Sequence, residues 1–103
     1  MTDINSIQNR FLERAQEGLI ELTETLSKKV TILNELKAGR LAPEQERLDA
    51  KIRGVEAGLR ITRRAESAFD AYSTMNQELH STPEAERPGL EIAIQDARII
   101  SQL

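Results

Sequence analysis

Few residues in this 103-residue chain have types that do chemistry readily. His80 is its one histidine, and there is no cysteine. His80 beside Ser81 sets a base next to a hydroxyl, the beginning of a nucleophilic site. Such a site also needs an oxyanion-stabilising group and a shared pocket. The run His80-Ser81-Thr82-Pro83 reads more simply as a helix stop and restart. A histidine there favours the negative end of the helix dipole, and Ser81 or Thr82 caps the next segment. Asp and Glu number 17, yet no Glu-x-x-His pair suits a di-iron bundle. Gly54 and Gly58 lack the Lys-Ser/Thr and the strand context of a phosphate loop. We therefore assign no catalytic residue, no cofactor site and no metal site, and read the chain as a non-enzyme.

Charge is more informative. The net charge is −3, which gives no general pull toward nucleic acid or anionic lipid. The middle of the chain is basic nonetheless, with Arg47, Lys51, Arg53, Arg60, Arg63 and Arg64, while the stretch after Glu66 is acidic. Arg53, Arg60, Arg63 and Arg64 form a candidate charged contact surface. Glu13, Glu17, Glu21 and Glu24 make an acidic stripe at helical spacing. Cross-helix ion pairing between these sets is the plainest expectation, and exposed pairs are worth little each. Nucleic-acid binding is an alternative; it is disfavoured because no aromatics interleave with the arginines.

The elements that must carry these side chains are helices. Leu12, Leu19, Leu26 and Leu33 stand seven residues apart, with Ala15, Leu22 and Leu36 between them. This is the spacing of a helix with an apolar seam, and Lys29 is its one polar interruption. Aromatic residues make up 3% of the chain, so any core must be aliphatic, which suits a bundle. Helix 1 is predicted over about 4–38. Lys37-Ala38-Gly39 ends it, and Pro43 opens the next helix. Helix 2 is predicted over about 43–79, with Leu48, Ile52, Val55, Leu59 and Thr62 on its seam. The apolar row then slips to Ala65, Phe69, Tyr72, Met75 and Leu79, which argues against a long regular coiled coil. Gly54 and Gly58 inside this helix are either tolerated or mark a bend or a close approach of another helix. A helical turn near 83–87 and helix 3 over about 88–101 follow. Folding the hairpin at residues 40–41 sets Phe11 near Phe69 and Tyr72, Gly18 near Arg63, and Leu26 near Val55.

The predicted fold is all-α: a single domain over 1–103, a long antiparallel helical hairpin plus a shorter C-terminal helix. Helix 3 is expected at the open end of the hairpin, leaving the turn-proximal half with two helices. That half carries Leu22, Leu26, Val30, Leu33, Leu36, Leu48, Ile52, Val55 and Leu59, the candidate interface through which a second copy would complete a coiled-coil-like bundle. In outline such a hairpin resembles the WXG100 secreted proteins, but Lys37-Ala38-Gly39 lacks their Trp, and no residue role is carried over. No signal peptide and no apolar run of membrane-spanning length are visible. The expected function is a cytoplasmic, homo-oligomeric interaction module, an adaptor, chaperone or assembly protein, that binds itself and another protein.

Overall fold

The computed structural model describes residues 4–103, with no account of the side chains of Ile4 and Asn5. The described residues are all-α. The helices are α1 (Ile4–Lys37), α2 (Ala42–Arg64), α3 (Ala68–Leu79) and α4 (Arg87–Ser101), with a 3-10 turn at Glu84–Glu86. Asp3 and Thr2, expected to cap the first helix, lie outside the described residues.

The α1–α2 hairpin closes where composition dictates. Gly39 has φ +81°, the left-handed conformation that ends a helix at low cost. Pro43 sits in the first turn of α2, where its missing N–H breaks no bond. Lys37 Nζ lies 2.9 Å from Asp49 Oδ1, and Gln45 Nε2 donates to the Lys37 carbonyl at 3.3 Å, so side chains tie the two helices across the turn.

The expected continuous helix over 43–79 is corrected to two helices. Ala65 is extended, at φ −80° and ψ 155°, and its N–H bonds back to Thr62 O at 3.2 Å. Ser67 caps α3: its Oγ accepts from the Asp70 N–H at 3.1 Å, while Asp70 Oδ2 accepts from the Glu66 N–H at 3.0 Å. This reciprocal cap stabilises a new helix start. Its signal, Ser67-Ala68-Phe69-Asp70, was legible in the sequence, and the slip of the apolar row marked the same place. At the far end, Ser81 and Thr82 do not cap a following helix. Their hydroxyls donate back to the Glu78 carbonyl, closing α3.

The break sends α3 back along α2. Ala68 lies opposite Gly18 of α1, and the Met75 sulfur approaches Gly58. Beyond the 3-10 turn, α4 runs parallel to α2, with Gly89 against Gly54 and Ala93 against Gly58. The contact is backbone to backbone. A Cβ on Gly54 would lie 2.6 Å from the Leu90 nitrogen and 2.8 Å from Gly89 Cα; one on Gly89 would lie 2.9 Å from Gly54 Cα. Gly54 and Gly58 therefore admit the C-terminal helix, one of the two roles the sequence left open for them. Ala50, Gly54 and Gly58 make one i, i+4 row of small residues, and Gly89, Ala93 and Ala97 the other.

Around this contact Leu22, Leu26, Val55, Leu59, Ala71, Met75, Leu90, Ala93, Ala97 and Ile100 form the core. Thr62 is buried among them and donates its hydroxyl to Gly58 O at 2.8 Å. Lys29, the polar break in the α1 seam, spans to α4: its Nζ lies 2.5 Å from Asp96 Oδ2. That buried oxygen has no other polar partner among the described residues.

Two predictions follow from this packing. Gly54→Ala and Gly89→Ala should each destabilise the fold by about 1–3 kcal/mol, because helix separation outweighs the propensity gain of ~1 kcal/mol. Gly18→Ala should be neutral or stabilising, since its Cβ would meet Ala68 Cβ at an ordinary 3.5 Å. Urea unfolding measures all three, and equal effects would contradict the close approach. In the same assay Lys29→Met should cost about 1–3 kcal/mol by stranding the Asp96 carboxylate. Lys29→Met with Asp96→Leu should recover most of it.

Candidate protein interface

The structure leaves apolar side chains exposed at both ends of the hairpin, Ile32, Leu36 and Leu41 near the turn and Ile7, Phe11 and Leu12 at the opposite end, and it covers most of the face between them. Leu22, Leu26, Ile52, Val55 and Leu59 are buried within the chain. Val30 and Leu33 are partly buried against the same core. These residues are therefore not an open face awaiting a second copy. The reason is the break at 65–67: α3 and α4 return along the hairpin and cover its turn-proximal half. Of the expected interface residues, Leu48 is half-buried and Leu36 exposed. Both line a groove of about 390 Å³ at the turn end, together with Arg40, Glu44, Arg47, Lys51, Ala85 and Pro88.

What stays bare is the N-terminal part of α1. From Gly18 to Lys37 the helix lies in the bundle; before Gly18 it projects as a single helix, roughly 20 Å of arm at ~1.5 Å per residue. The molecule measures 64 × 27 × 18 Å as a result. The stripe fully buried at Leu22 and Leu26 continues along this arm through Ala15, Leu12, Phe11 and Ile7, at spacings of one helical face. Here it is open: Phe11 is 76% exposed, Leu12 62% and Ile7 47%. Phe11 was expected beside Phe69 and Tyr72 on a continuous second helix, but that helix has already ended.

At the root of the arm, Gly18 faces Ala68 of α3 and Ile100 of α4. The next residues outward on those helices are apolar and exposed as well. Phe69 packs loosely on Tyr72, with ring centroids 6.3 Å apart, and is 65% exposed; Ile99 and Leu103 are exposed too. Arm and bundle end together carry both phenylalanines, Phe11 and Phe69, and leave both exposed. The slip of the apolar row to Ala65, Phe69 and Tyr72 marks a chain break rather than a change of phase along one helix, and the break leaves Phe11 and Phe69 without the cover a continuous second helix would give.

The charged candidates are all on the surface. Arg53 Nε lies 3.6 Å from Glu86 Oε2. Arg60, Arg63 and Arg64 are exposed, and among the described residues no carboxylate stands within 4.0 Å of them. The expected pairing of Glu17 and Glu21 with Arg64 and Arg60 is likewise not among these contacts. A cleft of about 360 Å³ between α1, α2 and α4 is lined by Lys29, Lys51, Pro88, Glu91, Ile92, Gln95 and Asp96, with Asp96 already engaged by Lys29. His80 is exposed at the end of α3 and is not among the residues that line that cleft. Among the described residues no three His, Asp or Glu side chains gather as metal ligands, and no helix is long and apolar enough to cross a membrane. Comparison with protein-family models, with curated proteins and with solved structures returned no match.

Proposed function

We propose that this protein is a non-enzymatic interaction module of the cytoplasm, an adaptor, chaperone or assembly protein, that works by offering a helix face to other helices. One observation carries the reading: the apolar stripe that forms the core at Leu22 and Leu26 runs on, uncovered, past Leu12, Phe11 and Ile7. A projecting helix gains most of its stability from packing its apolar face, so a bare amphipathic arm is incomplete by itself. Fully burying each of these three side chains contributes about 1.5–3 kcal/mol. Association costs on the order of 4–15 kcal/mol, so the arm needs the neighbouring apolar bundle end as well. Phe69, Ile99 and Leu103 supply it. The mode is helix-in-groove or bundle completion.

A second reading rests on Arg60, Arg63 and Arg64, which are exposed and without a carboxylate in contact among the described residues. They offer a small cationic surface to a nucleic-acid backbone. The acidic stretch after Glu66 opposes it.

Affinity capture from the native host tests the first reading. Wild-type bait should retain a defined protein set, its own copies included, that Phe11→Glu/Leu12→Glu bait loses. Equal recovery by both baits would refute an arm-centred interface. Fluorescence anisotropy with duplex DNA and single-stranded RNA tests the second. Binding should be negligible near physiological salt; tight binding that weakens steeply with salt and with Arg60→Gln/Arg63→Gln/Arg64→Gln would reverse the order of the two.

A further inference from the structure

We infer that the groove at the turn end of the bundle is a second docking site, and that its occupant is a short acidic-apolar segment of another protein. The inference goes beyond the arm-centred reading above, because groove and arm lie at opposite ends of α1. The turn-end groove and the cleft between α1, α2 and α4 are continuous: Lys51 and Pro88 line both. Lys29 and Leu36 of α1 stand on one side, and Ala85, Pro88 and Ile92 on the other, with Leu48 and Lys51 of α2 completing the lining. From Ala85 to Gln95 the second side runs roughly 15 Å at ~1.5 Å per residue, which is room for about three turns of helix.

The charge on the lining names the occupant. Arg40, Arg47 and Lys51 gather at the turn end with one carboxylate, Glu44. That carboxylate is already engaged, with Glu44 Oε2 3.6 Å from Arg40 Nη1. Arg47 and Lys51, one helical turn apart on α2, have no carboxylate within 4.0 Å among the described residues. Lys51 is also half-buried. Its side chain has given up part of its contact with water without gaining an anionic partner. An incoming carboxylate supplies the charge-assisted hydrogen bond that is missing there. Around these cations the lining is apolar, with Leu36, Leu48, Ala85 and Pro88 at the turn end and Ile92 further along. Carboxylates set among apolar side chains match this pattern. A nucleic-acid backbone does not: no aromatic ring lines the groove to stack a base, and Glu44 and Glu91 repel a continuous row of phosphates. The arm of a second copy matches no better, because Arg10 and Arg14 offset Glu13 and Glu17 along it.

A phage-displayed library of random peptides, each long enough for three helical turns, is the probe to pan on the full-length protein. Enriched peptides should carry several Asp or Glu among Leu, Ile or Phe. A basic consensus, or no enrichment, would overturn the inference. The labelled consensus peptide is then titrated by fluorescence anisotropy. Arg47→Gln/Lys51→Met should weaken binding at least tenfold, and Leu36→Gln severalfold; binding that ignores both would overturn it. Lys51→Met keeps the apolar stem of the side chain and Leu36 is exposed, so circular dichroism should show both variants folded. A measurement on the wild type alone stands beside them. In a two-dimensional amide spectrum the peptide should shift Leu36, Leu48 and Lys51, and shifts centred on Ile7 to Ala15 instead would overturn the assignment. Arg60→Gln/Arg63→Gln/Arg64→Gln removes three cations outside the groove and should bind the peptide as the wild type does. An equal loss there would reduce the attraction to overall charge and overturn the site. Self-association that Arg47→Gln/Lys51→Met abolishes would give the groove to a second copy, and displacement of the peptide by single-stranded RNA would give it to a polyanion; either overturns the inference. Phe11→Glu/Leu12→Glu should bind the peptide normally, so failure of the groove leaves the arm-centred reading standing, and failure of the arm leaves the groove.

Discussion

The close approach of α2 and α4 is the contact on which the remaining packing depends. Ala50, Gly54 and Gly58 on one helix meet Gly89, Ala93 and Ala97 on the other, and two of these glycines touch through their backbones. Glycine is a poor residue for a helix interior, costing ~1 kcal/mol against alanine. Its presence on both helices at matching heights is accounted for by what a side chain there would prevent. With the two axes this near, Leu22, Leu26, Val55 and Leu90 all reach a common centre. A core with few aromatic side chains gets its density from short distances between helices rather than from large residues.

The same contact explains the path of the chain. For Gly89 to reach Gly54, the polypeptide must return from the open end of the hairpin to a point near its turn. A straight second helix through residue 79 would carry it away. The extended residue at Ala65 and the Ser67–Asp70 cap reverse the chain, α3 makes the return, and the 3-10 turn at Glu84–Glu86 sets α4 parallel to α2. Lys29 belongs to this scheme. It interrupts an otherwise apolar seam because its partner, Asp96, arrives on the last helix. The ion pair orients α4 around its own axis, a role that burying another leucine would not fill.

Economy in the bundle has a consequence outside it. The three returning segments are shorter than α1, which has 34 residues, so they cover its C-terminal part and leave the rest bare. The exposed stripe is therefore not a separate addition to the molecule. It is the continuation of the core-forming face beyond the point where the chain supplies cover.

By itself the sequence determined the helical class, the hairpin turn at Gly39 and Pro43, and which positions are apolar on each helix. These are local properties, set by the period of the side chains and by backbone preferences at glycine and proline. It also held the Ser67-x-x-Asp70 cap, but that signal competed with an uninterrupted run of good helix formers on either side. The tertiary structure alone decided which end of the hairpin is covered. Leu22 and Leu26 are no more apolar than Leu12 and Phe11. They are buried because the break after Arg64 turns α3 and α4 toward them, and because Gly54 and Gly89 admit a close helix at that height. Burial depends on where the covering segment lies, and that is fixed by contacts between residues far apart in the chain.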